Sequence, residues 1–186
     1  MKNYLLETKK CKVVFFGEKK VGKTSIILKY CKNYFSEQYE TTSNSYNYQK
    51  FVPFEDYQTN IEFLIWDTAL AQRFRSMMLK FYSDADIIVL VYRDGDESFE
   101  EIKTFWYKEV KEQMINNPSK SFYNFFLVIY VVKNGCDKNL DISISQEEVE
   151  FVSKENINLR MISAKDNIGI GELFKSIGKE FLNKYK

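Results

Sequence analysis

Histidine is absent from the 186 residues. That excludes imidazole acid–base catalysis, histidine metal ligation and a histidine pH switch. Cysteine is scarce: three, at 11, 31 and 136, without the paired spacing of a metal site. So odd and scattered a count predicts a reducing compartment. An excess of one charge is also lacking, with Lys+Arg 27 against Asp+Glu 26 and a formal net charge of +1. No global field therefore draws the chain to nucleic acid or an acidic membrane. No run is long and apolar enough to span a bilayer, and residues 1–10 lack the apolar core of a signal peptide. A cytoplasmic location is the expectation. Only two prolines and seven glycines punctuate the chain, and no linker-like stretch, internal repeat or low-complexity segment divides it. A single domain over 1–186 is the economical reading, long enough for a sizeable core.

What is present is ordinary globular material, 45% hydrophobic and 28% charged. The aromatic share, 17%, is high and comes largely from Tyr and Phe, which reads as a compositional habit. Apolar runs alternate with amphipathic stretches, the pattern of a mostly parallel sheet with crossover helices. Strands are predicted at about 12–16, 43–53, 60–66, 87–91, 125–132 and 159–162. The second and third are joined by a polar turn at 55–59, and Ile61, Phe63 and Ile65 share one face of the third. The run 87–91 is continuously apolar, as in a strand buried on both faces. Helices are predicted at 23–32, 74–81, 97–115 (stopped by Asn117-Pro118), 146–154 with Ser145 as N-cap, and 169–184. Leu173, Phe174, Ile177 and Phe181 form the apolar stripe of the last.

Between the first strand and the first helix, Gly17 to Thr24 reads G-E-K-K-V-G-K-T. This is the phosphate-loop pattern G-x-x-x-x-G-K-[ST] in its required strand–helix context. Glycines at 17 and 22 let the backbone fold back so that its N–H groups, with the positive end of the helix, cradle phosphate oxygens. Lys23 can reach β- and γ-phosphates, and the Thr24 hydroxyl can ligate Mg²⁺.

The base is decided elsewhere. Asn134-Gly135-Cys136-Asp137 follows one buried strand and Ser163-Ala164-Lys165 follows the last. In an open parallel sheet both lie at the carboxyl edge, beside the phosphate loop. A carboxylate at 137 can accept from the N1–H and 2-amino group of guanine, a pair that adenine lacks. Bonds to a charged group contribute roughly 1.5–3 kcal/mol each, so the discrimination is large. The Ala164 N–H is placed to meet the guanine carbonyl. The plainer reading is that Asp137 caps a turn before Asn139.

With these residues the chain resembles a small GTPase of the Ras superfamily, closest to the Rab branch, from about 12 to 182. Trp66-Asp67-Thr68-Ala69 with Gln72-Arg73-Phe74-Arg75 resembles the Rab switch II segment W-D-T-A-G-Q-E-R-F. Asn134-x-x-Asp137 resembles the N-K-x-D guanine motif and Ser163-Ala164-Lys165 the S-A-K motif. The resemblance implies an α/β P-loop G domain with a six-stranded sheet flanked by helices on both faces. It implies GTP or GDP as ligand with Mg²⁺, held by Thr24, by Thr42 of switch I, and by Asp67 through a water. It also implies that Phe35 packs on the base, and that Val21 and Ser25 belong to the nucleotide site with the loop residues. Effector or regulator proteins would bind through switch I and switch II.

The departures are as informative. Where the family has glycine and glutamine in W-D-T-A-G-Q, this chain has Leu70 and Ala71. The glycine gives an N–H to the γ-phosphate in a conformation easiest without a Cβ, and the glutamine orients the attacking water. A methyl group at 71 can do neither job of a hydrogen-bonding side chain, so no intact catalytic set is expected. Gly135 stands for the lysine whose stem usually covers the base and braces the phosphate loop. Lys19 and Lys20 occupy loop positions that are usually small, where their ammonium groups add phosphate affinity, contact a partner, or are simply solvated. Thr41 neighbours the switch I candidate, and Ser43-Asn44 stands where Rab proteins have Ile-Gly. Ser45, Asn47 and Gln49 alternate with Tyr46, Tyr48 and Lys50, which predicts an unusual effector surface. The C-terminal residues carry no cysteine, so prenyl anchoring is not encoded here. The alternatives are recruitment to membranes through partners, a missing tail, or one half of a longer or tandem protein. The functional expectation is a Rab-like membrane-traffic switch with very slow hydrolysis. The alternatives are a non-catalytic scaffold holding GTP or GDP, and an ATP-using P-loop enzyme, against which Asp137 and Ala164 argue.

Overall fold

Val13, Val14, Phe15 and Phe16 are all fully buried, as a strand covered on both faces must be. They end β1 (Glu7–Phe16), the third strand of a six-stranded sheet ordered β2 (Tyr46–Phe54), β3 (Thr59–Asp67), β1, β4 (Ile87–Arg93), β5 (Val128–Asn134), β6 (Asn158–Ile162). The structure is a computed structural model that describes residues 7–38, 40, 42, 44–68, 81, 84–93, 98–116, 128–135, 137 and 143–184, with backbone alone at 113–116 and 128–129. β3 and β4 flank β1 in parallel, and β5 and β6 continue in the same direction. β2 is antiparallel to β3 and forms one edge. β1 is longer than its apolar run: Glu7 to Cys11 pair with Thr59 to Phe63 of β3. Lysines at 9 and 10 hid that extension, because backbone pairing with β3 holds it.

Alternation along β1 divides the core in two. Val13 and Phe15 face a cluster with Ile26 and Ile27 of α1 (Lys23–Lys32) and with the last helix. Val14 and Phe16 face the opposite cluster, with Ile88, Leu90 and Trp106. Ile61, Phe63 and Ile65 are buried on one face of β3, as their spacing requires.

The helix after β4, α2, is a succession of three pieces: an α turn Ser98–Glu101, a π-helical stretch Ile102–Trp106, and an α-helix Tyr107–Asn116. The sequence pattern predicts a regular helix here. The wider π turn lets Trp106 and Tyr107, adjacent in sequence, both be buried. α3 (Gln146–Glu155) begins with a capping box in which Ser145 accepts from the Glu148 N–H and Glu148 accepts from the Ser145 N–H. α4 (Ile170–Asn183) buries Leu173, Phe174, Ile177 and Phe181. Of the helix predicted at 74–81 only Phe81 is described, in helical conformation. The expected stop at Asn117-Pro118 and the expected strand start at 125–127 lie outside the described residues. Among those residues, no helix is long and apolar enough to cross a membrane.

Candidate nucleotide site

β1 delivers the chain into the loop at Gly17, whose φ is +137°. A Cβ there would fall 2.1 Å from the Val91 carbonyl oxygen of β4, so the loop can leave the sheet here only as glycine. Lys23, the first residue of α1, is 9% exposed, and its Nζ donates to the Gly17 and Glu18 carbonyls at 2.8 Å each. Burial pushes its ammonium down to about 8, against the opposing pull of Asp67 and Glu18. A buried cation resting on loop carbonyls, at a helix N-terminus, is suited to an anion. Glu18 also accepts from the Trp106 indole Nε1 at 3.2 Å, which ties the loop to α2. Lys20 holds a left-handed φ of +67°.

Three oxygen-bearing side chains converge beside Lys23. Thr24 Oγ1 donates to Asp67 Oδ2 at 2.7 Å and lies 2.8 Å from Thr42 Oγ1. Asp67 ends β3 and is fully buried. Burial pushes its carboxyl up, while Thr24 and Lys23 pull it down. Its Oδ1 is buried and has no hydrogen-bond partner among the described residues. A buried, half-satisfied carboxylate with two hydroxyls beside it is a donor set of hard oxygens, and it fits Mg²⁺. Among the described residues no cluster of three or more His, Cys, Asp or Glu could hold a metal.

At the other end, β5 stops at Asn134. Its Nδ2 donates to the Val21 carbonyl at 2.9 Å, and its Oδ1 accepts from the Ala164 N–H at 3.2 Å. The sequence reading aimed that N–H at a base carbonyl; here Asn134 engages it. Ser163 Oγ donates to Asp137 Oδ1 at 2.6 Å and accepts from the Asp166 N–H at 2.9 Å. Asp137 is thus anchored to the loop after β6. Whether it also caps a turn at Asn139 lies outside the described residues.

A cavity of about 510 Å³ runs between these two ends. Lys19, Lys20, Gly22, Lys23, Thr24 and Ser25 line it from the loop and α1. Phe35 and Thr42 line it from the segment after α1, and Asn134, Asp137, Ala164 and Lys165 from the far end. Gly17, Val21, Ser163 and Asp67 do not line it. They sit behind, with Gly17 and Val21 offering carbonyls to Lys23 and Asn134, Ser163 orienting Asp137, and Asp67 holding Thr24. Leu70, Ala71, Gln72, Arg73, Arg75, Thr41 and Cys136 are outside the described residues.

The cavity has further walls that sequence reasoning missed. Tyr34, Ser36 and Glu37 flank Phe35, and adjacency could have found them. Glu37 Oε1 pairs with Lys165 Nζ at 2.9 Å across the mouth, a contact that holds the lysine's pKa up. Thr68 is buried, donates to the Phe15 carbonyl at 2.6 Å and also lines the cavity. Arg93, at the carboxyl end of β4, completes the far wall beside Gly135, which the sequence had already singled out. The rule that ligands sit at strand carboxyl ends could have found Arg93.

The chain matches the model of the Ras family over residues 12–183. It is 33% identical over 174 residues to Ras-related protein Rab-21 of Homo sapiens, covering 92% of this chain and 72% of that protein. It is 35% identical over 174 residues to Ras-related protein Rab7 of Pisum sativum, covering 92% and 82% respectively. With Ras-related protein Rab-21 of Geodia cydonium the identity is 29% over 177 residues, covering 94% and 72%.

Proposed function

This chain belongs to the Ras family, among the Rab-like small GTPases, and from that premise we propose that it is a guanine-nucleotide-binding membrane-traffic switch with very slow GTP hydrolysis. The observation that carries the guanine reading is the Asp137 carboxylate, anchored through Oδ1 by Ser163 at 2.6 Å beside the cavity. A carboxylate so held at the cavity wall can accept from N1–H and the 2-amino group of guanine, and adenine would leave it unpaired. Asn134 links the phosphate loop, at Val21, to the loop bearing Ala164, so both halves of one nucleotide are read by one connected set of bonds. Lys23 carries the positive charge for the β- and γ-phosphates. The Thr24 and Thr42 hydroxyls, with Asp67 through water, would hold Mg²⁺. Bound there, Mg²⁺ supplies charge neutralisation on the phosphate oxygens.

Leu70 and Ala71 support slow hydrolysis. Ala71 has no group to orient a water, and Leu70 carries a Cβ where the family uses glycine to reach the γ-phosphate. Single-turnover hydrolysis, followed by nucleotide chromatography, is expected to run below about 10⁻⁴ s⁻¹, the intrinsic scale of a Ras-type reaction. A rate at or above that value overturns the reading. Ala71→Gln alone is expected to leave the rate low, because Leu70 remains.

The same two residues favour a second reading, a non-catalytic scaffold that retains one nucleotide. GTP found bound after purification, with no measurable turnover, supports the scaffold. Rapid exchange in EDTA with nucleotide-dependent partner binding supports the switch. Partners would be effectors or regulators meeting the two switch segments, with recruitment to intracellular membranes through them. The whole chain is read as one G domain.

A further inference from the structure

We infer that Arg93 is a base-binding residue, its guanidinium covering the face of the purine beside Gly135. This rests on the guanine-nucleotide reading of the cavity. Arg93 is the last residue of β4, in register with Asn134 of β5, so it emerges at the same sheet edge as the Asn134 and Asp137 pair. Its backbone is clamped from both sides: its N–H donates to Ser98 Oγ at 3.1 Å, and Ser98 Oγ donates to its carbonyl at 3.0 Å. The side chain then runs over Gly135. A Cβ placed on Gly135 would lie 3.4 Å from Arg93 Nε, 3.5 Å from Cγ and 4.0 Å from Cδ, ordinary van der Waals distances. Gly135 itself has φ +99°, a conformation that side-chain-bearing residues rarely adopt. The volume beside position 135 is therefore filled from the neighbouring strand rather than from 135 itself.

Arg93 and Gly135 both line the cavity, next to Asp137. A purine whose Watson–Crick edge meets Asp137 presents its flat face to the adjoining wall, and that wall carries an exposed guanidinium. A planar, weakly hydrated cation stacks on an aromatic face, which a bare glycine cannot do. Arg93 thus supplies the cover for the base that residue 135 lacks.

The test compares wild-type protein with Arg93→Ala and Arg93→Lys, measuring dissociation rates and competition affinities for GDP, GMP and ADP with Mg²⁺ present. Thermal unfolding without nucleotide reports any folding defect. Arg93→Ala is expected to weaken GDP and GMP by the same factor, about tenfold, with unchanged unfolding. Arg93→Lys is expected to recover only part, because an ammonium does not stack as a plane. Unchanged GDP binding in Arg93→Ala overturns the inference and leaves the guanine reading standing. A loss seen with GDP and absent with GMP puts the arginine on the phosphates and also overturns it. Wild-type protein that binds ADP as tightly as GDP overturns the guanine reading and the inference with it.

Discussion

At the scale of single residues, the site is built on groups that water would otherwise satisfy. Lys23 is buried, with two loop carbonyls as its acceptors among the described residues, and its pKa is lowered to about 8. Two pH dependences of opposite sign follow. Phosphate binds the charged form, so nucleotide affinity is full below about 8 and falls as pH rises through it, by up to about tenfold per unit. A titration of fluorescent-GDP affinity from pH 6.5 to 10 checks this; a flat profile across pH 8 to 9 contradicts it. Without nucleotide, the folded chain releases this proton near 8, whereas an unfolded lysine keeps it to about 10.4. The unfolded state then holds more protons, so the stability of the nucleotide-free chain rises with pH across that window. Gly17 is the sharpest backbone constraint. Gly17→Ala places a methyl 2.1 Å from the Val91 oxygen at φ +137°, and is expected to cost about 3 kcal/mol or more. Urea unfolding reads this; a loss under about 1 kcal/mol would mean that the loop relaxes around it.

Elements are held to one another by polar ties as well as by the two apolar cores. The capping box at α3 does more than start a helix. Glu148 accepts from the Ser145 N–H at 2.6 Å, from Tyr92 of β4 at 2.6 Å and from Lys133 of β5 at 3.3 Å. Burial pushes the Glu148 carboxyl up, but Tyr92, the Ser145 N–H and Lys133 outweigh it and hold the pKa low. Its stabilising contribution is therefore present above the unfolded glutamate pKa and lost as pH falls through the lower folded value. Ser145→Ala removes the hydroxyl that accepts from the Glu148 N–H and is expected to cost about 1 kcal/mol by chemical denaturation. An unchanged midpoint would show that Glu148 alone sustains the helix start. The π-helical stretch of α2 matters in the same way: it buries Trp106, whose indole reaches Glu18 of the phosphate loop.

At the scale of the molecule, the sheet gathers residues from six separate segments at one edge, and the ligand should act as a further tie. A nucleotide bound only by the folded state stabilises it by about 2.7 kcal/mol at one hundred times its Kd. For a chain of this size that is a rise in Tm of about 5–10 °C. GDP with Mg²⁺ is expected to produce this shift, EDTA to reverse part of it, and ATP to leave Tm unchanged. An equal shift with ATP would remove the basis for guanine selectivity.

Much of this was legible along the chain, and the reason is local. The loop Gly17 to Thr24, the capped helix after Ser145 and the buried strand from Ile87 each depend on residues that are neighbours in sequence. Periodicity and motif spacing therefore determined most of the described elements, the sheet class and the phosphate-loop pattern. They also exposed Leu70 and Ala71 as departures from the family pattern. Periodicity states which face a residue presents, not what lies across from it. The extension of β1 to Glu7, the Glu37 pair with Lys165 and the Trp106 bond to Glu18 were decided only in three dimensions. So was the placing of Arg93 over Gly135. Parallel strands are joined by long crossovers, so their carboxyl ends bring together residues that no window along the sequence contains.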